Sequence, residues 1–252
     1  MRLTLAWLIA LILCSGSIAF AQQQRNQDRG RAMPHYKLGL EELRSEQWEK
    51  AAAAFSRALE IDPTFEMAYY ALGRAYMPQK KYAEAAAALT KCRDLYQTDA
   101  GRLFSNAQDA QQHRRDRVTE LDELIRQYQS GPQTVQSGET LRQLYETRRQ
   151  MQDNIQRGTN MSIDVSVPSY VSLALGSALF RLGRLADAER EYKAALAADP
   201  KIGEAHSNLA VVYLQTGRFE DAERSVKAAE KAGFKVNPML KDDIAARKKA
   251  GQ

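Results

Sequence analysis

The amino-acid sequence predicts an all-α fold in which pairs of short helices repeat along the chain. The 252 residues are rich in alanine and contain only seven prolines. This composition favours helix over sheet, because alanine and straight side chains lose little freedom in a helix. Small residues also recur at a fixed distance, since Gly39 and Gly73 are 34 residues apart and so are Gly176 and Ala210. A period of this length is typical of stacked helical repeats.

The first 21 residues differ from the rest of the chain. Arg2 precedes an apolar run over residues 3–13, and residues 19–21 (Ala-Phe-Ala) form a small-x-small site before three glutamines. This order predicts a secretory signal peptide over residues 1–21, followed by a polar linker over residues 22–31. The apolar segment is also long enough to span a bilayer, so a retained anchor is the alternative and would be the only link to a membrane. In both cases we expect a periplasmic or secreted protein.

The same residue pattern surrounds each of the four small residues. In the first repeat it comprises Leu38, Gly39, Trp48, Ala51, Phe55, Ala58, Leu59 and Pro63. The pattern resembles that of the tetratricopeptide-repeat (TPR) family, and the resemblance covers about 136 residues in four units. It implies an all-α solenoid of antiparallel helix pairs, with units 1 and 2 over residues 32–97 and units 3 and 4 over residues 169–236.

The residue types in the pattern have physical reasons. Small residues such as Gly39 and Ala51 let the two helices of a unit approach closely, and we expect large residues such as Leu38 and Phe55 to fill the layer between units. One unit cannot bury its own apolar face, so neighbouring units must stack. The last unit then needs a polar cover, which we expect from a capping helix within residues 237–252.

Residues 98–168 lie between units 2 and 3 and lack the repeat pattern. Residues 98–129 contain no proline and can form one helix of about 45 Å. A second helix is expected over residues 139–156, so we predict a long helical hairpin followed by a returning loop. Two degenerate TPR units are the alternative, but they would need a turn in the middle of the first helix. Apolar residues of this helix step by three and four positions, as in a coiled coil: Val118, Leu121, Ile125 and Tyr128.

This stripe has two candidate partners. It can pair with a second copy of the chain and form a homodimer. Alternatively, apolar residues of the second helix cover it, and nothing is then left for a partner; these residues are Leu141, Leu144, Met151 and Ile155. The hairpin could also divide the binding groove into two pairs of units.

The sequence lacks the motifs of catalysis and of cofactor or metal binding. His35, His113 and His206 are far apart, and no zinc-type pairing of histidines or cysteines occurs. A nucleophile elbow and a phosphate loop are also absent. We therefore expect no enzyme activity, no metal, no cofactor and no small-molecule substrate, and we expect Cys92 to be an inert buried thiol. The net charge of +5 is spread along the chain, unlike the basic stripe of a nucleic-acid-binding protein.

The resemblance implies that the first helix of each unit lines a concave groove that receives an extended or helical peptide. Carried onto this sequence, the candidate groove residues are Tyr36, Leu40, Leu43, Tyr70, Arg74, Met77, Leu173, Ser177, Phe180, Asn208, Val211 and Leu214. We therefore expect a non-catalytic adaptor that binds a protein or peptide partner in cell-envelope assembly. The class that grips a terminal carboxylate is disfavoured, because Tyr36 and Leu40 replace its lysine and asparagine. The alternative is a structural envelope component that self-associates through the hairpin.

Overall fold

The computed structural model describes residues 24–25, 27–99, 107–130, 135–157 and 167–250 of the chain. Eleven helices and no strand occur within these residues. In chain order the helices are α1 (27–44), α2 (Trp48–Ile61), α3 (Glu66–Tyr76), α4 (Tyr82–Asp99), α5 (Ala107–Ser130), α6 (Val135–Arg157), α7 (Ser169–Arg181), α8 (Leu185–Ala198), α9 (Gly203–Gln215), α10 (Phe219–Lys231) and α11 (Pro238–Ala250). The predicted all-α class is confirmed.

Eight of these helices form the four repeat units, which are α1–α2, α3–α4, α7–α8 and α9–α10. Each unit packs on the next, because α2 contacts α3 and α8 contacts α9. Within a unit the helices approach closely at the predicted glycines. A Cβ atom on Gly39 would lie 2.5 Å from the Phe55 ring, and one on Gly73 would lie 2.5 Å from Leu89. Large side chains of the second helix thus fill the space above Gly39 and Gly73.

The leucine before each small residue is buried, except in the first unit. Leu72, Leu175 and Leu209 are buried, whereas the side chain of Leu38 is 46% exposed. The expectation that Leu38 fills a layer between units was wrong. Leu38 lies on α1, the first helix of unit 1.

The stack of units continues across the insertion. Helix α4 of unit 2 packs directly on α7 of unit 3, in the same way as α2 packs on α3 and α8 on α9. The hairpin therefore interrupts the sequence of repeats but not their stacking. The prediction that the hairpin divides the binding groove into two pairs of units is not tested by this stacking.

The insertion forms a hairpin of two long helices. Helices α5 and α6 have 24 and 23 residues and pack antiparallel, since Asp122 pairs with Arg148 and Gln129 donates to the Tyr145 hydroxyl. Two long helices rule out the alternative of two further repeat units. Helix α6 begins four residues earlier than predicted, so Gly138 lies inside it.

The ends of the insertion and of the chain are described only in part. The predicted signal segment, residues 1–21, lies outside the described residues, and so do residues 100–106 and most of the returning loop, residues 158–166. Helix α1 already begins within the segment expected as a polar linker. Within the described part of the chain, no helix combines the length and the hydropathy needed to cross a bilayer.

The carboxyl-terminal helix α11 covers the last unit. It packs on α10 and buries Ile244, while nearly all of its other side chains are exposed or half-buried. Lys248 pairs with Glu223 of α10 at 2.9 Å, and Lys241 pairs with Glu230 at 2.9 Å. One buried apolar residue with charged pairs at its sides is the composition expected of a cover that separates a stacked core from water.

Candidate functional site

The first helices of the units, α1, α3, α7 and α9, form one face of the solenoid, which we call the first-helix face. Helix α5 of the hairpin lies across this face in units 1 and 2. The hydroxyl groups of Tyr70 on α3 and Tyr128 on α5 are 3.3 Å apart. Arg74 donates from Nη1 to Oε1 of Gln127 at 2.7 Å, and its guanidinium stacks 4.2 Å from the centre of the Tyr128 ring. The face predicted to receive a partner thus already holds a helix of the same chain.

A buried cluster of charged residues joins α5 to the first two units. Arg29 of α1 donates hydrogen bonds to Asp62, Glu66 and Glu120, and Arg117 of α5 lies 3.3 Å from Glu66 and 3.5 Å from Glu120. We call these five residues the ion cluster. All of its side chains are at most 11% exposed. Arg117 also donates to the hydroxyl of Tyr96, which is 3.4 Å from the hydroxyl of Tyr170 on α7.

The ion cluster contains three carboxylates and only two guanidinium groups. Burial in a medium of low dielectric disfavours the charged form of a carboxyl group. Burial therefore raises the pKa of Glu120, although Arg29 and Arg117 act in the opposite direction. Burial also raises the pKa of the Tyr36 hydroxyl, and the charge of Glu120 adds to this shift. Burial thus favours the neutral forms of Glu120 and Tyr36 at this contact.

The second helix of the hairpin contacts unit 3. Gln143 of α6 accepts a hydrogen bond from the Ser169 hydroxyl at the start of α7, at 3.1 Å. Arg142 donates to Asp199, at the end of α8, at 2.9 Å. A polar cleft of about 380 Å³ lies between α6 and the turn from α8 to α9, with Met151 and Lys201 among its lining residues. The hairpin therefore contacts both halves of the solenoid.

The twelve predicted groove residues all lie on the first helices or next to their ends, but they differ in exposure. Six are buried, namely Tyr36, Leu40, Leu43, Tyr70, Leu173 and Leu214. The other six are half-buried, namely Arg74, Met77, Ser177, Phe180, Asn208 and Val211. The contacts of α5 fall on the residues of units 1 and 2. The half-buried residues of units 3 and 4 therefore form the open part of the face.

The predicted self-association stripe is largely covered within one chain. Leu121 and Ile125 are buried, and Val118 and Tyr128 are half-buried. Leu144 of α6 is also buried. Tyr128 does not belong to the contact between α5 and α6 alone, because its ring and hydroxyl reach Arg74 and Tyr70 on the first-helix face.

The thiol of Cys92 lies within the core. Cys92 is fully buried, and burial raises the pKa of its thiol well above the usual value, with a further contribution from Glu66. A thiol that does not ionise is a poor nucleophile and a poor metal ligand. Among the described residues, no group of three or more potential metal ligands is close enough to hold an ion.

Sequence reasoning missed the residues that hold α5 in place. Arg29 fell in the segment expected to be a linker, and Asp62 and Glu66 border the turn between α2 and α3. A signal was present in α5, because Arg117 and Glu120 are three residues apart and share a helix side with Leu124. Charged residues on the same side as a buried leucine indicate a buried ion pair rather than a solvated surface.

Comparisons with known proteins agree with the geometry. Family models described as tetratricopeptide repeats match residues 173–233, 39–80 and 68–99. Solved structures that resemble the chain include PilW, described as a widely conserved type IV pilus biogenesis factor (18% identity, 86% of this chain and 85% of that one, TM-score 0.41). Others are YrrB, described as a TPR protein with an unusual peptide-binding site (20%, 86% and 92%, TM-score 0.29), and MamA (19%, 81% and 97%, TM-score 0.28). No protein with a curated description matches the sequence.

Proposed function

Because the chain belongs to the tetratricopeptide-repeat family, we propose that it is a non-catalytic adaptor that binds a protein partner on its first-helix face. Proteins of this family generally act as interaction scaffolds, because stacked repeats present an extended surface. The main support for the proposal is that helix α5 lies on this face. A surface that accepts one helix through Arg74, Tyr70 and the ion cluster has the polarity and the shape to accept a protein segment.

The open part of the face, in units 3 and 4, is where a partner makes its first contact. Ser177 and Phe180 of α7 and Asn208 and Val211 of α9 are half-buried. An aromatic ring, an aliphatic side chain and an amide provide both apolar contact and hydrogen bonding. Most ligand-binding surfaces combine an apolar lining with a few polar groups in this way.

The proposed place of action is the cell envelope. The support is the amino-terminal pattern of one positive charge, an apolar run and a small-x-small site over residues 1–21, which is typical of export. An exported adaptor with no enzymatic motif fits a role in envelope assembly.

The test is an affinity pulldown from the envelope fraction with two variants of the mature chain. One variant carries Phe180→Ala and Val211→Arg on the open part of the face. The other carries Lys227→Ala on the second helix α10, where the side chain is exposed, and is the matched control. We expect a partner that wild type and control recover equally and the face variant loses. Equal recovery by all three proteins would contradict binding on this face.

Tyr36 and Tyr70 are unsuitable for this test. Both side chains are buried, so truncation to alanine would leave a cavity and lower stability by about 3–5 kcal/mol. Loss of binding in such variants would report unfolding rather than recognition.

Self-association through the hairpin is the second proposal, and it draws less support. The structure buries Leu121 and Ile125 within one chain, which leaves only part of the stripe for a second copy. Molar mass measured across a range of concentrations separates the two proposals, because an adaptor of this kind stays monomeric.

A further inference from the structure

We propose that α5 is an exchangeable occupant of the first-helix face, and that the partner is a helix that replaces it by presenting the same pattern of side chains. This inference rests on the proposed function, because it names the kind of partner that the same face binds. The pattern is an arginine, a glutamate three residues later, a leucine four residues after that, and a glutamine three residues further on. In α5 these residues are Arg117, Glu120, Leu124 and Gln127.

The four positions form a single side of a helix. Residues separated by three and four positions lie one above the other on a helix surface. All four side chains are buried against the rest of the chain, and each of the three polar ones has a partner on the solenoid. Glu120 accepts from Arg29, Arg117 pairs with Glu66, and Gln127 accepts from Arg74. The contacts on the face therefore depend on both the charge and the spacing of the polar side chains on the helix that it holds.

The charges of the face determine which helix fits. Arg29 and Arg74 need an acceptor on the partner, whereas the carboxylate of Glu66 needs a donor, because Asp62 already accepts from Arg29 on the face itself. A helix with only acidic or only basic residues would place like charges together, which is strongly unfavourable in a buried contact. The fitting partner is thus an amphipathic helix with one basic and one acidic residue a single turn apart.

The chemistry of the contact allows α5 to leave. The polar contacts described between α5 and the face are ion pairs, hydrogen bonds and stacked rings. Leu124 adds an apolar part, since it belongs to the same buried cluster as Tyr36 and Tyr70. Burying an ion pair gains little over leaving both charges in water, because the loss of hydration offsets their attraction. When α5 leaves as a unit, both partners of every pair regain water. Removal of one partner by substitution, in contrast, leaves the other charge buried and alone.

The solenoid is complete without the hairpin. Helix α4 packs directly on α7, so the stack of units does not pass through α5 or α6. The layer is apolar, since α7 contributes buried residues such as Val171, Leu175 and Ala178. Departure of the hairpin from the face therefore leaves the scaffold in place, as a two-state element requires.

Because α5 is covalently linked to the solenoid, the resting state is the one in which α5 occupies the first-helix face. Because α5 belongs to the same chain as its binding site, its effective concentration at that site is on the order of a millimolar. A free helix with the sequence of α5 must compete against that concentration, so it binds the wild-type chain weakly. A variant in which only the built-in helix is weakened should bind the same free helix more tightly.

The test uses a fluorescent synthetic peptide of residues 107–130, titrated into three forms of the mature chain by anisotropy. Glu120→Ala weakens the built-in helix and leaves Arg29, Arg74 and Glu66 of the face unchanged. Arg126→Ala is the matched control, because Arg126 lies on the same helix and is 65% exposed. We expect the peptide to bind Glu120→Ala at least tenfold more tightly than it binds wild type or Arg126→Ala. The peptide with its own Glu120 replaced by alanine should lose at least tenfold in affinity for the same variant.

Equal affinity of the peptide for all three proteins, or no binding to any of them, would overturn the inference. Circular dichroism shows whether Glu120→Ala is folded, and Gln127→Ala with Tyr128→Phe replaces it if it is not. Hydrogen exchange gives a second readout, because the amides of α5 should exchange faster in the variant while those of α3 and α4 do not change. If the pulldown recovers a partner through Phe180 and Val211 but the peptide does not bind in the place of α5, this inference is wrong. The proposed adaptor function is still supported in that case.

Discussion

In each unit, the size of one side chain on the second helix limits which residue can occupy the small-residue position of the first helix. Phe55, Leu89 and Tyr192 each lie sixteen residues after the small residue of their unit, and a Cβ atom on that glycine would meet them at 2.5–2.7 Å. Unit 4 has alanine instead of glycine, and the residue sixteen positions later is the smaller Val226. The size of the two residues is therefore matched within each unit, as close packing of a core requires.

Replacing Gly39 by alanine should destabilise the chain, although alanine is the better helix former. The added methyl group would overlap the buried Phe55 ring, and overpacking of this kind costs about 1–3 kcal/mol. Gly138→Ala is the matched control, because a Cβ atom there meets nothing within 4 Å and alanine gains about 0.5–1 kcal/mol over glycine in a helix. Urea unfolding followed by circular dichroism measures both. A Gly39→Ala protein as stable as wild type would show that the Phe55 ring moves without loss.

At the scale of elements, the hairpin differs most from an ordinary repeat. One side of α5 carries Leu121 and Ile125, which are buried, and the side toward the first-helix face carries Arg117 and Glu120. An apolar side alone would make α5 a permanent part of the core. Its charged side instead joins α5 to the first two units through buried ion pairs.

The contribution of Glu120 to stability should depend on pH. Its carboxyl group faces Arg29 of α1, Glu66 of α3, Tyr36 of α1 and Arg117 of its own helix. Since burial raises its pKa above the unfolded value of about 4.3, the folded chain binds the proton more tightly. The stability of wild type relative to Glu120→Gln should then fall as the pH rises from the unfolded pKa through the raised folded pKa.

Thermal unfolding of both proteins between pH 4 and pH 8 measures this difference. The glutamine variant cannot ionise at this position, so it is the reference at every pH. If the stability of wild type relative to the variant increased with pH, the predicted direction would be wrong. The effect of the Arg29 and Arg117 guanidinium groups on the pKa of Glu120 would then be larger than the effect of burial.

At the scale of the whole molecule, the solenoid and the hairpin are separate layers of the structure. The stack runs through α4 and α7 without the insertion. The hairpin reaches both halves, through Glu120 to unit 1 and through Gln143 and Arg142 to unit 3. It thus acts as a strap over the first-helix face rather than as a spacer between units.

A chain in which about ten glycine and serine residues replace residues 100–166 should therefore still fold. We expect one cooperative unfolding transition and a higher binding of a dye such as ANS, because Tyr36, Tyr70 and Tyr170 lose their cover. Leu175→Arg in the full-length chain is the comparison, since it places a charge in the buried α4–α7 layer and should abolish cooperative unfolding. Two separate transitions in the shortened chain would mean that the hairpin, and not the α4–α7 contact, holds the two halves together.

The sequence by itself determined the repeat units, the existence of a long helical hairpin and the positions of the candidate groove residues on the first helices. These features depend on spacings of three, four and 34 residues, which are local and are written in the order of the chain. Even the fit of Gly39 to Phe55 lies within one unit.

Only the tertiary structure decided which groove residues are open, why Leu38 is exposed, and where the hairpin lies. Arg29 and Glu120 are far apart in sequence, and an isolated charged residue gives no periodic signal of the partner it will meet. Whether a charge is solvated or buried depends on the elements that pack around it. The docking of α5 on the first-helix face is therefore a property of the folded chain, because it arises from contacts between elements that local patterns cannot relate.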